Sequence, residues 1–214
     1  MAVRITKGER IEIGFDMARC IHARNCFLKL PQVFDPSRRP WIDPEAAEPE
    51  DIAAMIRTCP SGALSYRRVD GGLAETPPGV NRVAVLENGP LAVAGDLVVD
   101  GERMVRATLC RCGKSANKPF CDYAHVGAGF ATTGEPACEA PGAETGARGG
   151  TLEIVPQENG SLRVTGAVEV VSGTGHRIAV REKAFLCRCG QSKTKPFCDG
   201  SHKAAGFVAP GPKG

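Results

Sequence analysis

The chain has 214 residues, 42% of them hydrophobic but only 5% aromatic, with Trp41 its single tryptophan, so it suits one or two small domains with modest cores. A formal net charge of +3 falls far short of the concentrated basic face of a nucleic-acid binder and excludes nucleic acid as an expected partner. The first residues lack an apolar signal-like run and no later stretch reaches the length of a membrane span, so a cytoplasmic protein without a membrane partner is expected.

Residues 1–70 read as the first domain. Ile11, Ile13 and Phe15 alternate as a strand does, and Cys20 to Leu30 predicts ligands followed by helix. Glu50 to Thr58 predicts a helix with acidic residues in its first turn and Ile52, Met55 and Ile56 on one face, ending at Cys59-Pro60. The bacterial ferredoxin spacing Cys-x2-Cys-x2-Cys-x3-Cys-Pro places Cys20 and Cys26 at its first and third positions. Ala23 stands at the second and Leu30-Pro31 at the fourth, while Cys59 before Pro60 is the remote ligand. Three thiolates with one open corner suit a 3Fe-4S cluster. The alternatives are a 4Fe-4S cluster with water or a side chain at its open iron, and three structural thiols without metal. His22 is read as a solvated loop side chain and not as a ligand. The stretches Cys20 to Cys26, Leu30 to Asp35 and Cys59 to Leu64 resemble single-cluster ferredoxins of the three-cysteine kind, which implies a ferredoxin-like fold for this domain.

Residues 71–81 are rich in Gly and Pro and read as a linker. Beyond it the chain repeats itself. Val83 and Val85, the Asn88-Gly89 turn, then Leu91, Val93, Val98 and Val99 predict short strands that lead to Cys110. Leu152 and Ile154, Asn159-Gly160, then Leu162, Val164, Val168 and Val170 predict the same series leading to Cys187. The second copy has the longer hairpin, expected around Ser172 to His176. A whole unit is thus duplicated, as 82–131 and 151–208, with 132–150 between the copies reading as a surface linker. Cys138 in that linker is expected to be a free thiol and His176 a solvated turn residue.

Each copy ends in Cys-x-Cys-x8-Cys-x3-His: Cys110, Cys112, Cys121 and His125, then Cys187, Cys189, Cys198 and His202. Ten cysteines in a reducing compartment point to metal rather than disulfides. In an extended Cys-x-Cys both thiols face one side while Arg111 or Arg188 points away. Asp199 is placed to cap a short helical turn on which Cys198 and His202 share a face, and Gly200 permits tight backbone geometry there. The first copy has Tyr123 where the second has Gly200, so its site is expected to differ in potential or stability. By spacing alone, zinc and an iron-sulfur cluster are both open readings of three cysteines and one histidine. Lys114, Lys118, Lys193, Lys195 and Lys203 beside the motifs either compensate cluster charge or steer an acidic partner, or serve solubility alone.

Both copies resemble the CDGSH iron-sulfur family, and the second carries Cys-Asp-Gly-Ser-His in full. That resemblance implies one 2Fe-2S cluster at Cys110, Cys112, Cys121 and His125 and another at Cys187, Cys189, Cys198 and His202. It further implies that the two modules pair within one chain as an intramolecular pseudo-dimer, leaving the protein a monomer. The fold class expected is α+β: a ferredoxin-like domain followed by two mostly-β modules. Imidazole in place of thiolate removes negative charge and raises the potential, and a protonatable ring couples cluster retention to pH. The functional expectation is a non-enzymatic electron-transfer protein, since no nucleotide loop and no nucleophile–base pair is present. The alternative is cluster transfer or redox and pH sensing, so the expected partner is a reductase, an electron acceptor or an apo-acceptor of clusters.

Overall fold

In the computed structural model, which describes residues 3–138 and 148–213, the chain divides into two units, Met1–Thr76 and Pro77–Gly214. Strands outnumber helices and the helices are short, a mixed architecture in keeping with the expected fold class.

The first unit is an antiparallel three-stranded sheet in which β2 (Ile11–Phe15) lies between β1 (Arg4–Thr6) and β3 (Leu64–Arg68). Ile13 pairs with Tyr66, and the alternation of β2 turns Ile11 and Ile13 into the core. Helix α2 (Pro49–Arg57) starts with Pro at its first position, keeps Glu50 and Asp51 in its first turn, and buries Ile52, Ala53, Met55 and Ile56. These side chains close with Val33, Phe34, Ile42 and Leu64 on one core. The predicted ligand-plus-helix stretch is a 3-10 turn at Met17–Arg19 followed by α1 (Asn25–Lys29).

The second unit is one six-stranded sheet. The first repeat supplies β4 (Arg82–Val85), β5 (Leu91–Val99) and β6 (Glu102–Leu109), and the second supplies β7 (Thr151–Pro156), β8 (Leu162–Val171) and β9 (Arg177–Leu186). Within each repeat the strands pair antiparallel, and across repeats they pair parallel. β4 lies beside β8, with Val83 opposite Val170, and β5 lies beside β7, with Leu97 opposite Leu152. The first strand of each copy thus adds to the second strand of the other. One continuous core results, joining Val83, Leu91, Leu97 and Leu109 to Ile154, Leu162, Val170 and Leu186. Buried Asn81 fastens the exchange: its side-chain amide donates to Gly150 O at 2.8 Å and Ala167 O at 3.0 Å.

Both Asn-Gly turns hold their asparagine in the left-handed region, Asn88 and Asn159 each at φ 48°. The backbone after each cysteine motif clasps its turn. Asn88 N donates to Thr132 O and Asn159 N to Ala209 O, each at 2.9 Å. Of the stretch read as a linker, residues 132–134 therefore lie against the sheet, and Gly134 O also accepts from Gly173 N at 2.9 Å. Residues 139–147 of that stretch lie outside the described residues. The longer second hairpin falls where expected, with Ser172 N donating to His176 O at 2.8 Å. Among the described residues no helix is long and apolar enough to cross a membrane.

Candidate metal centres

Each cysteine motif begins where a strand ends. Leu109 of β6 bridges Phe120, and Leu186 of β9 bridges Phe197. This folds the loop back so that Cys110 N donates to Pro119 O at 2.9 Å and Cys187 N to Pro196 O at 2.8 Å. Ser115 and Ser192 tie the loop from inside, each hydroxyl donating to the phenylalanine carbonyl, of Phe120 or Phe197, at 2.6 Å. Lys118 and Lys195 donate their ammonium groups to the carbonyls of Ser115 and Ser192. Lys114, Lys193 and Lys203 are exposed.

The donors fall into pairs. Cys110 and Cys112 stand with their sulfurs 3.8 Å apart, as do Cys187 and Cys189. Short helical turns α3 (Ala124–Gly127) and α4 (Ser201–Ala204) bring the third cysteine to its histidine, with Cys121 Sγ and His125 Nδ1 3.4 Å apart and Cys198 Sγ and His202 Nδ1 likewise 3.4 Å. Among the described residues no three His, Cys, Asp or Glu side chains converge as a single ion requires. A tetrahedral zinc site would gather all four donors at about 2.0–2.3 Å from one point. Each pair is spaced as two ligands of one metal ion.

Asp199 does not itself hold the cap position expected of it. Gly200 does, at φ 85°, and Asp199 braces the turn from one residue earlier by accepting from Ser201 N at 3.0 Å and Lys193 N at 2.8 Å. The Ser201 hydroxyl and these amides hold its carboxyl well below the usual range. Asp122 accepts from Ala124 N and Ala116 N in the same manner.

Metal-free, Cys110, Cys121 and Cys189 are thiols. The hydrogen bond to Cys112 and burial push Cys110 up, while the same hydrogen bond pulls Cys112 down to about 6. Burial pushes Cys121 up to about 11 and raises Cys189. Ligation therefore releases protons, and the buried sulfurs favour a metal that replaces them.

Two features of these sites escape a reading of the motif. Arg111 and Arg188 are almost wholly buried, at 1% exposure each. Arg111 donates through Nε to Gly89 O at 2.8 Å, through Nη2 to Leu86 O at 2.5 Å and through Nη1 to Thr133 O at 3.1 Å. Arg188 repeats this on Gly160, Gln157 and Pro210. Each guanidinium also lies over a phenylalanine, Phe130 at 5.4 Å and Phe207 at 5.5 Å. One cation thereby locks the Asn-Gly turn and the segment after the motif onto the Cys-x-Cys strand. Burial lowers Arg111 to about 10, so it stays a cation at neutral pH. The only hint in the sequence was an arginine at the same place in both copies.

The second feature is the contact between the two Cys-x-Cys loops. A Cβ on Gly113 would stand 2.6 Å from Cys189 O, and one on Gly190 would stand 2.8 Å from Cys112 O. Each loop's glycine thus rests on the other loop's cysteine backbone. A cleft of about 230 Å³ beside this contact is lined by Cys112, Lys114 and Phe130 of one repeat and by Gly190, Gln191 and Lys195 of the other.

In the first unit Cys20, Cys26 and Cys59 are partly buried. Asn25 Nδ2 donates to Thr58 O at 2.7 Å, fastening the Cys20–Cys26 loop to the end of α2 just before Cys59. Burial, and less strongly the neighbouring thiols, push Cys20 and Cys26 up. Cys59 Sγ lies 3.6 Å from Ser61 Oγ. His22 is exposed and adopts φ 52°. Cys138 is exposed and free, and His176 is exposed.

Residues 88–126 and 159–203 match the sequence profile of a family described as iron-binding zinc finger, CDGSH type, and residues 6–69 match one described as divergent 4Fe-4S mono-cluster. Over its N-terminal domain the chain belongs to the divergent 4Fe-4S mono-cluster family, and it carries two CDGSH-type iron-binding motifs after it. Two curated relatives, from Escherichia coli K12 and O157:H7 and each named uncharacterized protein YjdI, are 41% identical to it over 64 residues, which cover 84% of their length and 30% of this chain. This CDGSH and mono-cluster chain is an iron-sulfur protein.

Proposed function

We propose that this protein is a non-enzymatic electron carrier with two 2Fe-2S clusters in its second unit and one further cluster in its first. The observation that carries the reading is the grouping of donors: at each CDGSH site two sulfurs stand 3.8 Å apart, and a sulfur and an imidazole nitrogen 3.4 Å apart. Cys110 with Cys112 would hold one iron and Cys121 with His125 the other, and Cys187, Cys189, Cys198 and His202 would do the same. Cys20, Cys26 and Cys59 would hold the N-terminal cluster, for which the family description favours 4Fe-4S over 3Fe-4S, its fourth iron left to water or another side chain. Such clusters supply one-electron chemistry when bound. The chain's own contribution is to bury the Cys-x-Cys sulfurs, exclude water from them and keep the two loops in backbone contact.

The reciprocal exchange of strands supports a pseudo-twofold pairing of the two modules inside one chain, so the protein acts as a monomer. Its partners in the cytoplasm would be a reductase or an electron acceptor. Anaerobic purification followed by iron, sulfide and zinc analysis and electron paramagnetic resonance tests the reading. Seven or eight irons per chain, with signals of two cluster types, are expected; one zinc per motif and a colourless protein would refute it. Clusters that pass to an apo-acceptor faster than they exchange electrons would favour cluster delivery instead.

A further inference from the structure

The two CDGSH sites share their donors but not their cover. At the cap of α4 stands Gly200, and a Cβ there would meet nothing within 4 Å. The same place before α3 is taken by Tyr123, at φ 74° against the 85° of Gly200. A tyrosine rarely adopts this left-handed conformation, whereas the glycine at the same place in the second copy adopts it freely. What the side chain does there is visible: its ring meets the imidazole of His125 edge-on, with centroids 5.2 Å apart and planes at 81°. His125 is buried at 9% exposure and Cys121 at 2%, whereas Cys198 and His202 are each partly exposed.

From this we infer that Tyr123 is a positioning residue that closes the first site on its histidine side, and that the open space over Gly200 leaves the second site as the exchange port of the protein. The inference rests on the proposed reading that each site holds a cluster. The Cys-x-Cys sides of the two sites do not differ in this way: Cys112 and Cys189 are 6% and 7% exposed and each backbone rests on the other repeat's glycine. The asymmetry therefore lies at the histidine, the face by which solvent, a chelator or a partner protein reaches the cluster. Cluster release and contact with a partner would both proceed from His202, with the site at His125 retained.

The experiment is a reciprocal swap in the full chain. Iron loss to a strong ferrous chelator is followed at constant pH in the native protein and in Tyr123→Gly, Tyr123→Asn, Tyr123→Phe and Gly200→Tyr, after iron and sulfide analysis of each. The phase due to the N-terminal cluster is the one missing from a Cys26→Ser chain. Two remaining phases are expected in the native protein. Tyr123→Gly and Tyr123→Asn should speed the slow one by about tenfold or more, the scale on which groups behind a metal ligand tune its hold. Tyr123→Phe should keep it slow, and Gly200→Tyr should slow the fast one. Asn tolerates the left-handed backbone without supplying a ring, so a slow phase that survives in Tyr123→Asn would overturn ring shielding. A single shared rate in the native protein, or phases indifferent to position 123, would overturn the inference as well. Should Gly200→Tyr not fold, the contrast of Asn with Phe at position 123 decides the matter alone. One metal ion per site with no sulfide would instead refute the reading beneath it, and the analysis reports this before any rate is measured.

Discussion

The first and second CDGSH sites share one frame and differ in what stands in front of it. Behind the donors they agree nearly atom for atom: a buried arginine on three carbonyls, a serine on the phenylalanine carbonyl, an aspartate on two amides. In front they part, with Tyr123 over His125 and open space over Gly200. The comparison teaches that the loop's shape is set by contacts behind the cysteines, which are the same in both copies although position 123 carries a ring and position 200 does not.

The comparison is broken most completely at a ligand. Cys110→Ser should empty the first site and leave the second loaded, and Cys187→Ser should do the reverse, each read as a loss of two irons and two sulfides in metal analysis. A chain that lost both clusters from either change would show that the sites load as one.

Next in size is the arginine. Arg111→Met and Arg188→Met should each remove one buried charge-assisted hydrogen bond, to Gly89 O or Gly160 O, and two part-buried ones, at about 1.5–3 kcal/mol for a bond from a charged group, so each variant should lose at least about 3 kcal/mol. Denaturant unfolding of the metal-free protein measures this. Equal losses would confirm that the frames behind the two sites are equivalent.

Smaller, and crosswise, is the glycine contact. Gly113→Ala and Gly190→Ala set a methyl against the other loop's carbonyl at positions of φ 79° and 82°. Strain and crowding should cost about 1–3 kcal/mol. The visible spectrum should change at the opposite site, at Cys189 for the first variant and at Cys112 for the second. A change confined to the mutated repeat would mean that the loops touch without supporting one another.

The smallest effect falls outside the pair and calibrates it. Asn25→Ala removes one partly buried hydrogen bond to Thr58 O, about 1 kcal/mol. A partial loss of N-terminal cluster signal is expected, with both CDGSH signals unchanged in electron paramagnetic resonance.

Much of this site was legible in the sequence, because ligand chemistry is local. Cys-x-Cys at the end of a strand and a cysteine four residues before a histidine determine two donor pairs wherever the chain folds, and strands 82–85, 91–99, 151–156 and 162–171 announce themselves by their alternation. The helix before Cys59 was read to within a residue of its observed ends, Pro49 and Arg57, for the same reason: its apolar face, acidic first turn and following proline are all near neighbours in the chain. Other features depend on residues far apart. Arg111 acts on Leu86, Gly89 and Thr133, and Gly113 matters because Cys189 lies against it. No spacing rule reports such partners, since the backbone carbonyls they involve belong to every residue alike. The sequence by itself determined the cysteine and histidine pairs, the duplication and the tyrosine that stands where the second copy has Gly200. Only the tertiary structure decided that the repeats exchange strands, that the buried arginines hold the loops, and that the tyrosine ring turns onto His125, because each of these is settled by which distant surfaces meet when one core is closed.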